Sequence, residues 1–326
     1  MMNNKQTILY QDQAYYQIRS YFKTQGFVEV FAPSLILANT PDPYIDPLIV
    51  KSNNPAYKNW QLHTSPELWL KKSLSENLSK VFYLGRVFRD DISTNHHLLE
   101  FTMLEWYRSL DSLDTLIEDC KSLFLEVAKA WQQSTGLVAQ MPKKYVIVSL
   151  WDLFKKHANL DLDNILDATK KDEFYLSNLL KESGELLVDN AQFTDAFFHI
   201  MIKYIEPNLN PNHATIIERW PLQLAALSAP CIDDPRYCQR FEIYYKGLEI
   251  ANAYEECNDA KILKKRFTAD NKLRKSLKKS VFMPDEEFFN KLPLLPQTCG
   301  IALGVDRLMM TLANSSHIKE VFFGSL

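Results

Sequence analysis

Apolar and polar positions alternate along two stretches of this chain, and both carry chemistry. Residues 81–108 read VFYLGRVFRDDISTNHHLLEFTMLEWYR. The pattern predicts two strands joined by a long polar loop, the first ending on Arg89 and the second running from Glu100 to Tyr107. Side chains alternate faces along a strand. Phe101, Met103, Glu105 and Tyr107 therefore share one face, and Thr102, Leu104 and Trp106 the other. On the first strand Tyr83, Gly85, Val87 and Arg89 share a face. With the odd positions on one side, a single surface carries a guanidinium, a phenyl ring, a carboxylate and a phenol. Those groups suit a phosphate, a purine and an ammonium. Taken alone, the stretch equally fits an ordinary sheet with Arg89 at its exposed rim.

The second stretch, Arg240 to Glu256, places two apolar, aromatic runs around Lys246-Gly247, a pair suited to a two-residue hairpin turn. In that register Tyr244 faces Glu249 and Glu242 faces Ala251. Glu242 and Glu249 then point the same way, with Ala251 and Ala253 leaving room beside them. Two carboxylates on one strand face suit Mg²⁺ bound with a nucleotide. Two acids facing solvent on an edge hairpin fit the same pattern.

Helical spacing predicts a helix over 12–24, with Tyr15, Ile18, Tyr21 and Phe22 on one side. Gly26 stops it, and Phe27–Phe31 alternates as a strand up to Pro33. Pro41–Pro47 is a rigid loop, and residues 60–63 are a short strand. Thr64-Ser-Pro-Glu67 then reads as a helix start, with Ser65 as cap, proline in the first position and an acid in the first turn. Capping alone accounts for those residues. An amphipathic helix is expected over 112–133, and mainly helical material over about 152–205. His157, His199 and His213 fit surface or core positions. Residues 214–220 form a strand closed by Pro221. Residues 261–279 hold nine lysines and arginines against one aspartate, which predicts a solvated helix face or a dock for an acidic partner. Gly300–Gly304 and the residues after it read as strand, turn and helix. Arg307 falls in the first turns, where the helix dipole favours anions; pairing with Asp306 would be the structural alternative.

Composition narrows the choice. The chain has 326 residues, 46% hydrophobic and 24% charged, ample for a core. A net charge of −3 gives no basic field for nucleic acid. Only 8 glycines occur, with no glycine-rich phosphate loop, so phosphate binding must rest on arginines and metal. Five cysteines lie far apart with no C-x-x-C pair, which reads as reduced thiols in a cytoplasmic protein. The N-terminus lacks the apolar region of a signal peptide, and no apolar run has the length of a membrane span.

Several of these motifs resemble one family. Arg86-x-x-Arg89 followed by Glu100-Phe-Thr-Met-Leu-Glu-Trp-Tyr107 is similar to motif 2 of the class II aminoacyl-tRNA synthetases in its lysine-specific form. The helix–Gly–strand–Pro segment resembles motif 1, which builds a dimer interface in that family. Gly300-x-x-x-Gly304-x-Asp-Arg307 resembles motif 3. Gly247, Glu249, Ala251, Asn252 and Glu256 match G-x-E-x-A-N-x-x-x-E. The likeness runs from about residue 12 to 320 and is nearest to the lysyl-tRNA synthetase-like branch that lacks the anticodon-binding domain and carries β-lysine to elongation factor P.

The resemblance implies an α+β fold, an antiparallel sheet flanked by helices. It implies a single catalytic domain over 1–326 with the helical insertion at about 152–205. It further implies an ATP-dependent, AMP-forming ligase that activates (R)-β-lysine or lysine and transfers it to a lysine side chain of elongation factor P. The enzyme would be a cytoplasmic homodimer. By this likeness Arg89 bridges the α-phosphate and the substrate carboxylate, and Arg307 holds the γ-phosphate. Phe101 stacks on adenine, with Asp90, Asp91, His97, Leu98, Glu249, Ile250 and Gly304 also at the nucleotide. Glu242 and Glu249 hold Mg²⁺. Ser65, Pro66, Glu67, Glu105, Tyr107, Asn252, Glu256 and Ala302 line the amino-acid pocket, where Glu256 receives the ε-ammonium. Ala302 stands where lysyl-tRNA synthetases carry Gly and the β-lysine branch carries Ala.

This sequence departs from the family at several points. The usual R-x-E and H-N-P-E-F are here Arg89-Asp-Asp91 and His96-His-Leu-Leu-Glu100-Phe. Ala253 replaces a glycine and Glu255 adds an acid. Nothing precedes the catalytic core, which favours a protein acceptor over tRNA. Aminoacylation of tRNA and a catalytically weak, synthetase-like binding protein are the alternatives.

Overall fold

A computed structural model describes residues 3–40 and 42–324; Pro41 of the expected 41–47 loop lies outside the described residues. The chain forms two compact units, residues 1–141 with 253–326, and residues 142–252.

In the first unit the strands lie in the order Val28–Glu29, Lys80–Phe88, Glu100–Ser109 and Thr298–Gly304. The last three run antiparallel to one another in turn, and the short first strand is parallel to Lys80–Phe88. Lys80–Phe88 pairs with Glu100–Ser109 so that Val87 lies opposite Phe101, Tyr83 opposite Glu105 and Val81 opposite Tyr107. The odd positions thus share a side, as expected.

The even side is covered by two long helices, Asn4–Thr24 and Leu113–Thr135, which pack on each other. Phe22 stacks on Phe82 with ring centroids 4.7 Å apart and lies 5.3 Å from Trp106. Burying each of these rings contributes roughly 2 kcal/mol, and the offset pairs add a fraction more. One polar group is built into this layer. Asp119 accepts from Trp106 Nε1 at 2.9 Å and from Arg108 Nε and Nη2 at 2.8 and 2.7 Å. Parity therefore spends one sheet face on the core and leaves the other for polar side chains.

Three boundaries differ from expectation. The first helix begins at Asn4, because Asn3 and Gln6 form a capping box ahead of the apolar periodicity. The expected 27–31 strand is paired only over Val28–Glu29, extended by one bond from Val30 N to the Phe82 carbonyl at 2.8 Å; Pro33 has no N–H to continue the ladder. The helix expected to start at Pro66 starts at Glu67 with Pro66 in the cap position. The Ser65 hydroxyl nonetheless accepts from Glu67 N at 3.0 Å, so the capping chemistry holds with a shift of one residue.

The basic run is a helix, Ala260–Ser276, but it is not wholly a solvated face. Arg274 is fully buried and donates to the carbonyls of Asp42, Pro43, Ile45 and Ser280 and to Asp46 Oδ1. A fixed five-donor fork suits a loop whose carbonyls all turn inward.

In the second unit the strand order is Leu248–Glu255, Tyr237–Tyr245, His213–Pro221 and Lys144–Ser149, the first strand running on into residues of the first unit. Lys246 and Gly247 form the hairpin turn with φ of 52° and 75°, both positive as a type I′ turn requires. Short helices between residues 150 and 208 pack over these strands around Phe154, Phe197 and Trp220. His199 Nε2 donates to the Glu185 carboxylate at 2.7 Å, which also accepts from Lys203 and Tyr204. No helix among the described residues is long and apolar enough to cross a membrane.

Candidate active site

The odd face of the first unit gathers the expected amino-acid pocket. Ala302 pairs directly with Glu105, Gly300 with Tyr107 and Gly304 with Met103. Gly300 is needed there: a Cβ would collide with the Tyr107 ring and stand 2.8 Å from Glu256 Oε1. From above, the loop before the Glu67–Leu74 helix brings Ser65, whose hydroxyl donates to Glu105 Oε1 at 2.6 Å. The Tyr107 hydroxyl lies 3.4 Å from Glu105 Oε2. Ser65, Pro66, Glu67, Glu105, Tyr107, Glu256 and Ala302 thus fall in one place.

The charges there are unusual. Glu67, Glu105 and Glu256 are all buried. Burial, and then the neighbouring Glu67 carboxylate, push Glu105 up to about 8. Burial likewise pushes Glu256 up to about 8, against the pull of Lys71. Tyr107 is held well above the usual phenol range by burial and by Glu105, Glu67 and Glu256. Such groups favour a cation that enters with its proton already bound.

Arg89 follows directly on the first strand, and its guanidinium lies 5.2 Å from the centre of the Phe101 ring. Asp90 donates its N–H to the Asp46 carbonyl at 2.7 Å, and Asp91 donates its own to the Arg89 carbonyl at 2.9 Å. Both are exposed; Leu98 is buried in the loop. His97 is the meeting point. Its Nδ1 shares a proton with Thr94 Oγ1 at 3.1 Å, and Arg307 donates to its Nε2. Burial, Arg307 and Arg89 all lower the His97 pKa. Arg307 therefore bonds this imidazole, and the charges of both Arg89 and Arg307 act on it. Asp306 does not pair with Arg307; it accepts from the Thr102 N–H at 2.6 Å and is pushed up to about 6 by burial.

In the second unit Glu242, Glu249, Ile250 and Asn252 flank the hairpin. Glu242 is buried, accepts from Tyr244 at 2.8 Å and pairs with Arg240, which also donates to Asn252 Oδ1 at 3.2 Å. Burial and the Glu249 charge push Glu242 up to about 7. Burial and the same Glu249 raise Glu206. Glu242 and Glu249 thus feel one another, as a shared face requires. No set of three or more His, Cys, Asp or Glu among the described residues is arranged to hold a metal. A cation would rest on this pair and draw other ligands from outside the protein, the arrangement usual for Mg²⁺.

Sequence reasoning missed Lys71. Its ammonium is buried between Glu67 Oε1 at 2.6 Å and Glu256 Oε2 at 2.5 Å. The available signal was the four-residue spacing from Glu67, which puts the two on one helix face.

A family model for class II tRNA synthetases (D, K and N) matches residues 2–324. The elongation factor P–(R)-β-lysine ligase of Haemophilus ducreyi is 32% identical over 320 residues, covering 97% of this chain and 92% of that one. The proteins of that name from Proteus mirabilis and Salmonella typhi are 31% and 30% identical over 313 and 314 residues, each covered over 90% of its length. Strand register, cleft and sequence agree, and the chain belongs to the class II tRNA synthetases of the D, K and N group.

Proposed function

We propose that this protein is an ATP-dependent ligase that activates (R)-β-lysine, or lysine, as its adenylate and transfers it to a lysine side chain of elongation factor P. The observation that carries this is the convergence of the Arg89 and Arg307 charges on His97, together with the buried carboxyls of Glu67, Glu105 and Glu256. The names of the relatives support the choice of acceptor.

In the first step a carboxylate oxygen of the amino acid bonds to the α-phosphorus and pyrophosphate leaves. Both reactants are anions, so alignment and fixed positive charge lower the barrier. Arg89 spans the α-phosphate and the carboxylate, Arg307 takes the γ-phosphate, and Phe101 stacks on adenine. Asp90, Asp91, His97, Leu98, Ile250 and Gly304 frame the nucleotide. Glu105, Tyr107, Asn252 and Ala302 shape the amino-acid end, Ser65, Pro66 and Glu67 its second amine, and Glu256 takes the ε-ammonium. In the second step the acceptor amine bonds to the acyl carbon, loses a proton, and AMP leaves. Glu242 and Glu249 hold Mg²⁺, which when bound supplies positive charge to the phosphates. We further propose one catalytic domain with a helical insertion at about 152–205, working as a cytoplasmic homodimer.

The test is pyrophosphate exchange with (R)-β-lysine against lysine, followed by label transfer to elongation factor P or to tRNA. Exchange with transfer to elongation factor P is expected. Transfer to tRNA alone would overturn the acceptor, and ATP binding without exchange would leave a binding protein.

A further inference from the structure

Lys71 is a buried cation inside a pocket that the proposed function requires to bind cations. Its ammonium is held between Glu67 and Glu256 and lies 5.9 Å from the centre of the Tyr107 ring. Glu256 spends one oxygen on it. The other, Oε1, is buried and has no hydrogen-bond partner among the described residues; it lies close to Gly300, against the Tyr107 ring. Leaving a buried carboxylate oxygen without a donor is costly, so this oxygen suits a donor brought by a ligand.

Counting charges sharpens the point. Before a cation arrives, burial holds Glu105 and Glu256 toward their neutral forms; ionised around an arriving cation, they and Glu67 with protonated Lys71 sum to −2. A 2,6- or 3,6-diaminohexanoate brings two ammonium groups to the amine side of the pocket and its carboxylate to Arg89. The fixed charge and the ligand charge then cancel. Without Lys71 the loaded seat would stand at −3, and the ionised forms of Glu105 and Glu256 that receive the ligand would be harder still to reach.

We propose that Lys71 is the positioning and specificity-determining residue of the amino-acid pocket: it fixes one oxygen each of Glu67 and Glu256, presents Glu256 Oε1 to the substrate's terminal ammonium, and sets the pocket's charge to match a diamino acid with both amines protonated. This rests on the pocket being the amino-acid site of the proposed ligase.

The sign of its effect follows from its neighbours. Lys71 favours the ionised forms of Glu105 and Glu256, and Glu67 opposes them. Arg89 also favours the Glu105 charge. Glu255 opposes that of Glu256, while Tyr83, Tyr107 and Cys299 face the two carboxyls as neutral groups.

The experiment is the pH profile of kcat/KM for the diamino acid in pyrophosphate exchange, in wild type, Lys71→Met, Lys71→Arg and Glu67→Gln. Lys71→Met should lose about tenfold or more at pH 7 and move the acid limb up by about one pH unit, while the KM for ATP holds. Lys71→Arg should keep the wild-type limb. Glu67→Gln should move the limb down, which tests the same charge balance if Lys71→Met does not fold. Unmoved limbs in Lys71→Met or, failing its folding, in Glu67→Gln would overturn the inference while leaving the ligase reading intact. Absence of exchange in wild type with either diamino acid would overturn both.

Discussion

Arg307 donates to the Nε2 of His97, 210 positions away along the chain. The bond requires a neutral imidazole with Nε2 as acceptor. Burial, the Arg307 charge and the Arg89 charge all keep it neutral, and Nδ1, which carries the proton in that tautomer, faces Thr94. Removing Arg307 should therefore do two separable things. Pyrophosphate exchange in Arg307→Ala should fall at least ~100-fold, the usual loss for a preorganised charge donor. The imidazole of His97, followed by its ring-proton NMR titration, should gain a higher pKa. Near-normal exchange would contradict the assignment of the arginine; an unmoved titration would contradict the contact.

Arg89 and Phe101 make the second pair, guanidinium to ring at 5.2 Å. Arg89→Ala should lose at least ~100-fold in exchange. Phe101→Leu keeps an apolar side chain but no π face. It should raise the KM for ATP about tenfold, the loss of one stacking contact of roughly 1–2 kcal/mol, and leave the KM for the amino acid near its original value. An equal rise in both would mean that the ring supports the loop rather than the nucleotide.

Much of the polar strand face within each unit was legible in the sequence because strand parity is local and rigid. Once 80–88 and 100–109 are strands, Phe101, Glu105 and Tyr107 must share a face, and the Lys246-Gly247 turn likewise forces Glu242 and Glu249 together. Helix ends are set by single hydrogen bonds, which explains why the Asn3 capping box and the Pro66 cap escaped a reading based on periodicity. Lys71 and Arg274 escaped for a different reason. Long cations are normally solvated, and only tertiary partners, Glu256 at 185 positions' separation and the carbonyls of residues 42–46, reveal that these two are buried. Asp306 was expected as a possible partner of Arg307, yet the neighbouring strand's Thr102 N–H takes it.

Glu105 gives a prediction on pH and stability. Its folded-state pKa is pushed up to about 8 by burial and Glu67, above the ~4.3 of an exposed glutamate. A carboxyl raised in this way stabilises the fold below the unfolded value, and that contribution is lost as pH rises through about 8. Glu105→Gln keeps the hydrogen-bonding shape and removes the titration. Its Tm at pH 8 should exceed that of wild type by about 2–4 °C, the shift expected for each kcal/mol in a chain of this size, while the gain vanishes near pH 4. Binding of the diamino acid should weaken at least tenfold in the same variant, a site held at the expense of stability. A Tm gain independent of pH would point to packing instead.

Arg274 supplies the last test, because it links the basic helix to the segment just after Arg89 through a short chain of bonds. Its guanidinium holds the Asp42, Pro43 and Ile45 carbonyls and Asp46 Oδ1 at 2.6–3.3 Å. The Asp46 carbonyl in turn accepts from Asp90 N at 2.7 Å, one residue beyond Arg89. Lys279 adds a second cation on Asp46 at 2.8 Å. Arg274→Met matches the length of the stem but leaves four carbonyls without this donor and Asp46 with Lys279 alone. It should cost about 3–5 kcal/mol by chemical denaturation, as expected when one side of a buried charge network is removed. Asp46→Asn keeps the carbonyl to Asp90 and should cost much less. If the 42–46 loop positions Asp90 and Arg89, folded Arg274→Met should also show a raised KM for ATP with little change in that for the amino acid, and Asp46→Asn a smaller rise in the same direction. Lost stability with an unchanged KM for ATP in both variants would confine Arg274 to holding the loop.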